Sequence, residues 1–516
     1  MQEQTSSHKI LSHELAVPVL LALFQLILHI IFHGNYGYFR DELYYIACSN
    51  RLAWGYVDQP PFSIAVLAIV HTVLGDSLHA IRFLPAVAGS CVVVLAALMA
   101  RRFGGGRFAQ GCAALAVVLA PGLLSHGGYF SMNSFDVLFW ATGAYLVVVI
   151  LGEDRPKLWL LLGVVIGLGL LNKYSIGFFC IGLAGGLLVT PQRKHLFTKW
   201  FWLGALAAFV IFLPHIIWER TNGMPSIEFM RNASQIKNVN LSALEFFRGQ
   251  IRDINYLNAP LWFAGLWFFL FTENGKRFRT LGWIYLFVFV LMVATNAKVY
   301  YLAPIYPMLL AGGSVFAERI SVRWVRPAYV TLLIIMGAIS VPFAIPVLPV
   351  DTFIRYEALL GVKPRADEHS EVAQLPQYYA DEFGWKEMVG KIAAVYRTLT
   401  PEEQSQCVIY TRNYGEAGAI DFFGKEYGLP GSICPHNNYW LWGPGEKSGD
   451  VAIIFGSGSN VEENLADLKQ YYKSVEFIAT TNCNYCMPFE NKRPIFLCKG
   501  MNTTFQKIWP KERIYI

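Results

Sequence analysis

Asp41 and Glu42 stand side by side in HGNYGYFRDELYYIACSNRLAWGYVDQPP (residues 33–61), an aromatic-rich loop that follows an apolar run beginning near Leu15. Carboxylates so close to a bilayer are costly to place, which makes them candidates for chemistry. Further along, more charged residues interrupt or border apolar runs: Arg82, Asp136 after Ser131-Met-Asn-Ser, Lys173 in LNKYS, and Lys298 in NAKVYYLAPIYP. An idle charge within a span costs about 2.5–3.5 kcal/mol on insertion scales, so Lys173 and Asp136 call for a reason. Such a set suits glycosyl transfer from a lipid phosphate to a hydroxyl. A carboxylate takes the proton of the attacking hydroxyl, and cations stabilise the departing phosphate. Plainer roles exist for some members: Arg82 and Lys298 as snorkelling cations, and Asp41 as the cap of a helix over ELYYIACSNRLAW.

The elements that must position these groups follow from the apolar pattern. Of 516 residues, 54% are hydrophobic and only 15% charged, against roughly 25% charged in soluble domains. This composition indicates an integral membrane protein. Stretches long enough to cross the bilayer are expected near 15–33, 81–100, 108–125, 134–151, 158–171, 176–190, 200–217, 259–271, 281–296, 300–317 and 328–346, about eleven transmembrane helices. The first is too long for a secretion-signal core and has no small-residue cleavage site after it. Phe62–Leu74, after Pro60-Pro61, reads as a twelfth span or a juxtamembrane helix at the interface, and its thirteen residues favour the interface.

Every second loop is basic: Arg101, Arg102 and Arg107; Arg155 and Lys157; Arg193, Lys194 and Lys199; Lys276, Arg277 and Arg279; Arg319, Arg323 and Arg326. Basic loops stay in the cytoplasm, so the amino terminus is expected inside, and Asp41, Asp136, Lys173 and Lys298 all on the outer side. The net charge of +6 is then an orientation signal rather than a sign of nucleic-acid binding. The domain reading is a transmembrane catalytic core over 1–350 and an extracytoplasmic α/β domain over 351–516, with helices alternating with strands at QCVIYT, VAIIFG, SVEFIAT and PIFLCKG. IIFGSGSN matches no phosphate-loop pattern. HNNYWLWGPG carries Asn, Tyr and Trp side chains that would suit sugar contact if exposed, but packing of this loop onto the membrane core is the favoured reading.

Of nine cysteines, Cys407, Cys434, Cys483, Cys486 and Cys498 fall in the tail, where an oxidising compartment favours one or two structural disulfides. The pairing stays open, and Cys483-Asn-Tyr-Cys486 alone is not a zinc site. A divalent ion shared by Asp58 and His215 is not favoured, because no further ligand spacing supports it.

YFRDELYY, then DQPPFSIAVLAIVHTVLG, then IRFLPAVAGS together resemble the first outer loop of the GT-C membrane glycosyltransferases, of the protein O-mannosyltransferase and lipid A aminoarabinose transferase (ArnT-like) type. The likeness covers roughly residues 15–310. It implies a GT-C fold in an α-helical polytopic membrane protein, a polyprenyl-phosphate-linked sugar donor, inversion at C1 on the periplasmic face of a bacterial inner membrane, and a lipid, glycan or protein acceptor. By the same resemblance Asp41 matches the essential acid, Glu42 its neighbour, and Asp136 a second acid. Arg82, Lys173 and Lys298 match donor-binding cations, and Asp58, Tyr174 and Tyr301 are assigned to substrate binding beside them. Gln59 and Tyr174 depart from the Lys before the double proline and the Gly after the Lys, which weakens any claim to aminoarabinose specificity. Two other classes compete: a flippase for a lipid-linked sugar, against which no internal repeat is detected, and an envelope-assembly binding module centred on the tail.

Overall fold

The computed structural model describes residues 15–322, 324–366 and 368–516. Arg323, counted above among the basic loop residues, lies outside them. All eleven apolar stretches are helical. Among the described residues, six helices are unbroken and long enough to cross a membrane: Leu78–Arg102, Met132–Glu153, Lys199–Thr221, Lys276–Ala294, Val299–Glu318 and Val325–Phe343. Three more are helix pairs bent at a break, by 71° after Arg107–Val118, 114° after Ile176–Leu188 and 99° after Ala243–Asp253. Pro121 and Pro191 open the second halves of the first two pairs, where a ring that removes an N–H and fixes φ restarts a helix in a new direction. Ala16–Phe32, Phe62–Leu74 and Leu158–Asn172 are shorter apolar helices. The chain is a membrane protein.

Packing divides the chain into two units. The first holds residues 15–35, Ser77–Trp218 and Asn240–Pro349. Its core is a helix bundle in which small residues such as Ala96, Ala97, Ala113 and Ala114 are sealed completely, with Trp140 and Trp262 filling the space between helices. Small side chains bring helices close, which is how apolar helices gain contact when lipid is as apolar as they are.

The second unit does not follow a single cut at residue 350. Tyr36–Asp76 and Glu219–Val239 pack with Val350–Ile516. Aromatic side chains bring this about: Tyr36 lies on Tyr379 and Phe383, and Tyr38 on Phe422 and Phe423. The unit contains a four-stranded mixed sheet, with β1 (Val408–Tyr410), β2 (Val451–Phe455), β3 (Tyr472–Thr480) and β4 (Pro494–Met501) in the order β1-β2-β4-β3. β1 and β2 run parallel, and the other two pairings are antiparallel. Every β2 residue is buried, because the Trp385–Tyr396 helix covers one face while Leu468, Phe505 and Trp509 cover the other. The Trp385–Tyr396 helix is followed by a second, Pro401–Gln406, which Thr400 caps.

One expectation for the tail is corrected. All nine cysteines are free thiols. Cys407 packs with Ile409 and Ile453 on one face of the sheet, whereas Cys498 packs with Val408 and Tyr410 on the opposite face, so the sheet itself keeps these two thiols apart. HNNYWLWGPG is packed, as favoured from the sequence, with Asn437, Asn438 and Tyr439 buried, but against the first outer loop rather than the membrane core. The Asn438 amide oxygen accepts the Val57 N–H at 2.6 Å, and the Tyr439 hydroxyl donates to Asp421 at 2.8 Å. The loop packs on the Tyr36–Asp76 segment.

Candidate active site

In the second unit, Arg40–Ser49 forms a ten-residue helix. Glu42 at its third position accepts the Phe39 N–H at 2.9 Å and is wholly buried, which makes it the cap that fixes where the helix begins. Asp41, one residue earlier, keeps 28% of its side chain exposed. The Tyr414 hydroxyl donates to Asp41 Oδ1 at 2.9 Å. Arg40 turns back beneath: its guanidinium lies 3.7 Å from Asp41, 3.7 Å from Asp381, 4.0 Å from Glu368, and over the Tyr414 ring at 5.4 Å. Lys237 meets Glu368 at 3.2 Å.

Asp58 lies in the same unit and accepts the Tyr44 hydroxyl at 2.9 Å. Enclosure pushes its carboxyl up to about 7, with the negative charge of Asp41 adding to the rise and the Tyr44 bond opposing it. Burial likewise raises Asp381 to about 6, although Arg40 pulls it down. The cluster holds more acid than base, and two of its acids hold their protons more tightly than ordinary carboxyls do.

In the first unit, Lys173 is the C-terminal cap of Leu158–Asn172, and its ammonium is mostly buried. It donates to Asn133 Oδ1 at 2.6 Å and lies 3.9 Å from Asp136, whose Oδ2 accepts the Ser175 hydroxyl at 2.6 Å. The ammonium also lies 4.3 Å from the Tyr301 ring centroid and 5.4 Å from that of Tyr300. Lys173, Asp136 and Tyr301 are therefore brought together. Tyr174 points elsewhere: its hydroxyl pairs with His215 at 2.6 Å, and His215 stacks on Trp218. Arg82 is 1% exposed and donates to the His33 carbonyl at 2.8 Å, bracing the end of the first helix. Lys298 caps the Val299–Ile305 turn that carries both tyrosines. Among the described residues, no three or more His, Cys, Asp or Glu side chains gather as a metal site would require.

Sequence reasoning missed Arg40, Lys237, Glu368, Asp381 and Tyr414 around Asp41. It also gave no role to Asn133 and Ser175, although both lie in segments it quoted. Arg40 carried one signal, a cation beside the acid pair. Glu368, Asp381 and Tyr414 carried none, because their partners lie hundreds of residues away.

Residues 58–218 match the family model for dolichyl-phosphate-mannose-protein mannosyltransferase. The lipid A galacturonosyltransferase RgtD of Rhizobium johnstonii is 26% identical over 273 residues, 51% of this chain and 56% of that protein. The lipopolysaccharide core galacturonosyltransferase RgtA of the same organism is 26% identical over 185 residues, 35% of this chain and 37% of that protein. The matches thus span little more than half of one curated relative and about a third of the other. The structure of ArnT from Cupriavidus metallidurans bound to undecaprenyl phosphate superposes with a TM-score of 0.60 at 15% identity, over 93% of this chain and 97% of that one. Arabinofuranosyltransferase AftD from mycobacteria gives 0.53 at 12%, over 95% and 40%. The fold is that of the GT-C membrane glycosyltransferases. The chain superposes on the solved ArnT along nearly its whole length.

Proposed function

We propose that the chain transfers a sugar from a polyprenyl-phosphate-linked donor to a hydroxyl of a lipid or glycan acceptor, at the outer face of a bacterial inner membrane. The topology that goes with this reading has eleven spans, the amino terminus in the cytoplasm and Val350–Ile516 in the periplasm. The observation that carries the proposal is the division of labour in the acid pair: Glu42 is sealed as a cap, while Asp41 keeps a partly exposed carboxylate beside a fixed tyrosine hydroxyl. Asp41 takes the acceptor's hydroxyl proton as the acceptor oxygen bonds to C1. The bond from C1 to the phosphate oxygen breaks with its electron pair, releasing polyprenyl phosphate with inversion at C1. Lys173 and Lys298 receive the phosphate charge, with Tyr300 and Tyr301 beside Lys173. Asp136 is the counter-ion that orients Lys173, and Arg82 braces the helices around it. Undecaprenyl phosphate bound to the solved ArnT supports the donor class, and the two galacturonosyltransferase relatives support a lipid A or lipopolysaccharide acceptor.

The test is transfer of labelled sugar from a panel of polyprenyl-phosphate sugars, galacturonate and aminoarabinose included, to lipid A in membrane extracts. Wild type is expected to form product, and Asp41→Asn to form about 10²- to 10⁴-fold less, the usual share of a general base. Undiminished product from a folded Asp41→Asn protein removes the proposed base. Donor moved across vesicles without product makes the chain a flippase.

A further inference from the structure

The Tyr414–Phe423 helix approaches the Arg40–Ser49 helix closely enough that only glycine fits at the contact. A Cβ on Gly415 would lie 2.4 Å from Arg40 Cγ, and one on Gly418 would lie 2.8 Å from the Leu43 carbonyl carbon. Tyr414 comes first on this helix, and its position is fixed from several sides. Asn413 and Glu416 form a reciprocal cap at the helix start. Glu416, wholly buried, pairs with Arg493 at 2.8 Å, and the Asn413 amide donates to Glu490 at 2.9 Å. The Tyr414 ring is itself buried, 4.8 Å from Tyr44 and 4.8 Å from His436 between centroids, so its hydroxyl has little freedom in where it points.

We infer that Tyr414, from the C-terminal part of the chain, is a positioning residue for Asp41: it holds Oδ1 so that Oδ2 faces the acceptor hydroxyl. Among the described residues both close partners of the carboxylate meet Oδ1, the Tyr414 hydroxyl at 2.9 Å and Arg40 Nε at 3.7 Å. A carboxylate held by one oxygen presents the other in a fixed direction, and proton transfer depends on reach and angle before it depends on driving force. The assignment rests on the reading of Asp41 as base and gives the soluble tail a direct part in the reaction.

Tyr414→Phe keeps the ring and its packing while removing the single hydroxyl. The full-length variant is expected to lose roughly 10- to 100-fold in kcat with the donor KM unchanged, the size expected for one hydrogen bond to a charged group. Tyr439→Phe removes a buried hydroxyl from the same aromatic cluster, one bonded to Asp421 instead, and is expected to keep wild-type kcat. Unchanged kcat in Tyr414→Phe while Asp41→Asn is inactive overturns the positioning role and leaves the base standing. An equal fall in both tyrosine variants also overturns it, since loosened packing alone would explain that result. Full activity in Asp41→Asn overturns the base, and with it this inference.

Discussion

The Lys173 cluster and the Asp41 cluster handle charge in opposite ways. Around Lys173 one cation meets one acid, Asp136, and neutral groups supply the rest of the contacts: Asn133, Tyr300 and Tyr301. Around Asp41 two cations, Arg40 and Lys237, face Asp41, Asp381 and Glu368. A balanced pair suits a helix bundle, where an uncompensated charge is costly. In the acid-rich cluster burial makes Asp58 and Asp381 hold their protons more tightly than ordinary carboxyls, and that suits a site where a proton must change hands. On the proposed reading the first cluster meets the donor's phosphate charge and the second moves a proton.

The largest effect is expected where the balanced pair is broken. Lys173→Gln leaves Asp136 buried without its cation, and losing one partner of a buried pair costs about 3–5 kcal/mol. The variant should accumulate poorly in membranes and transfer sugar at less than a hundredth of the wild-type rate. Adding Asp136→Asn removes the stranded charge, so the double variant should recover in amount and stay inactive. Recovery of both amount and transfer would make Lys173 a structural charge and leave the donor phosphate to other groups.

A smaller effect tests the acid-rich side. The Asp381 carboxyl, ordinarily near 3.8, titrates at about 6 in the fold because burial outweighs Arg40. The folded chain therefore binds this proton more tightly than the unfolded chain does. Its contribution is whole below about pH 4 and is lost as pH rises through 6, a change of roughly 3 kcal/mol. Asp381→Asn has no such proton. Thermal unfolding of the purified protein from pH 4 to 7 should show wild type losing stability relative to the variant as pH rises, and parallel curves would mean that Asp381 titrates normally.

The same contrast explains what the sequence disclosed. Lys173 and Asp136 were legible because each breaks an apolar run, and a membrane makes such a break expensive. Asp41 was legible as an acid beside a span, and the helices and strands of the tail followed from periodicity. Tyr414, Asp381 and Glu368 were not legible. They lie in a polar segment where charged and aromatic residues are ordinary, and only the fold brings them to Asp41. Glu42 was read as half of a reactive pair, yet a glutamate three residues after Phe39 is equally a capping residue, and burial alone distinguishes the two roles. The disulfide expectation failed for a similar reason: spacing says nothing about which face of a sheet a cysteine occupies.

The smallest effect concerns those thiols and leaves transfer aside. Cys483 is pulled down to about 7, chiefly by the hydrogen bond from the Cys486 thiol, with burial opposing and the Tyr485 and Cys486 N–H groups adding. The Cys486 N–H meets its sulfur at 3.1 Å. Burial pushes Cys407 and Cys498 the other way, to about 11 and about 12. Thiolate is the reactive form, so after reduction iodoacetamide at pH 7.5 should alkylate Cys483 well before either of them, as read by peptide mass. Cys486→Ala removes the thiol that stabilises the Cys483 thiolate, and labelling at pH 7 should slow roughly tenfold. Equal labelling of Cys407 and Cys483 would mean that the β1–β2 core opens as readily as the loop between β3 and β4. The second unit would then be too loosely packed to hold a tyrosine against Asp41.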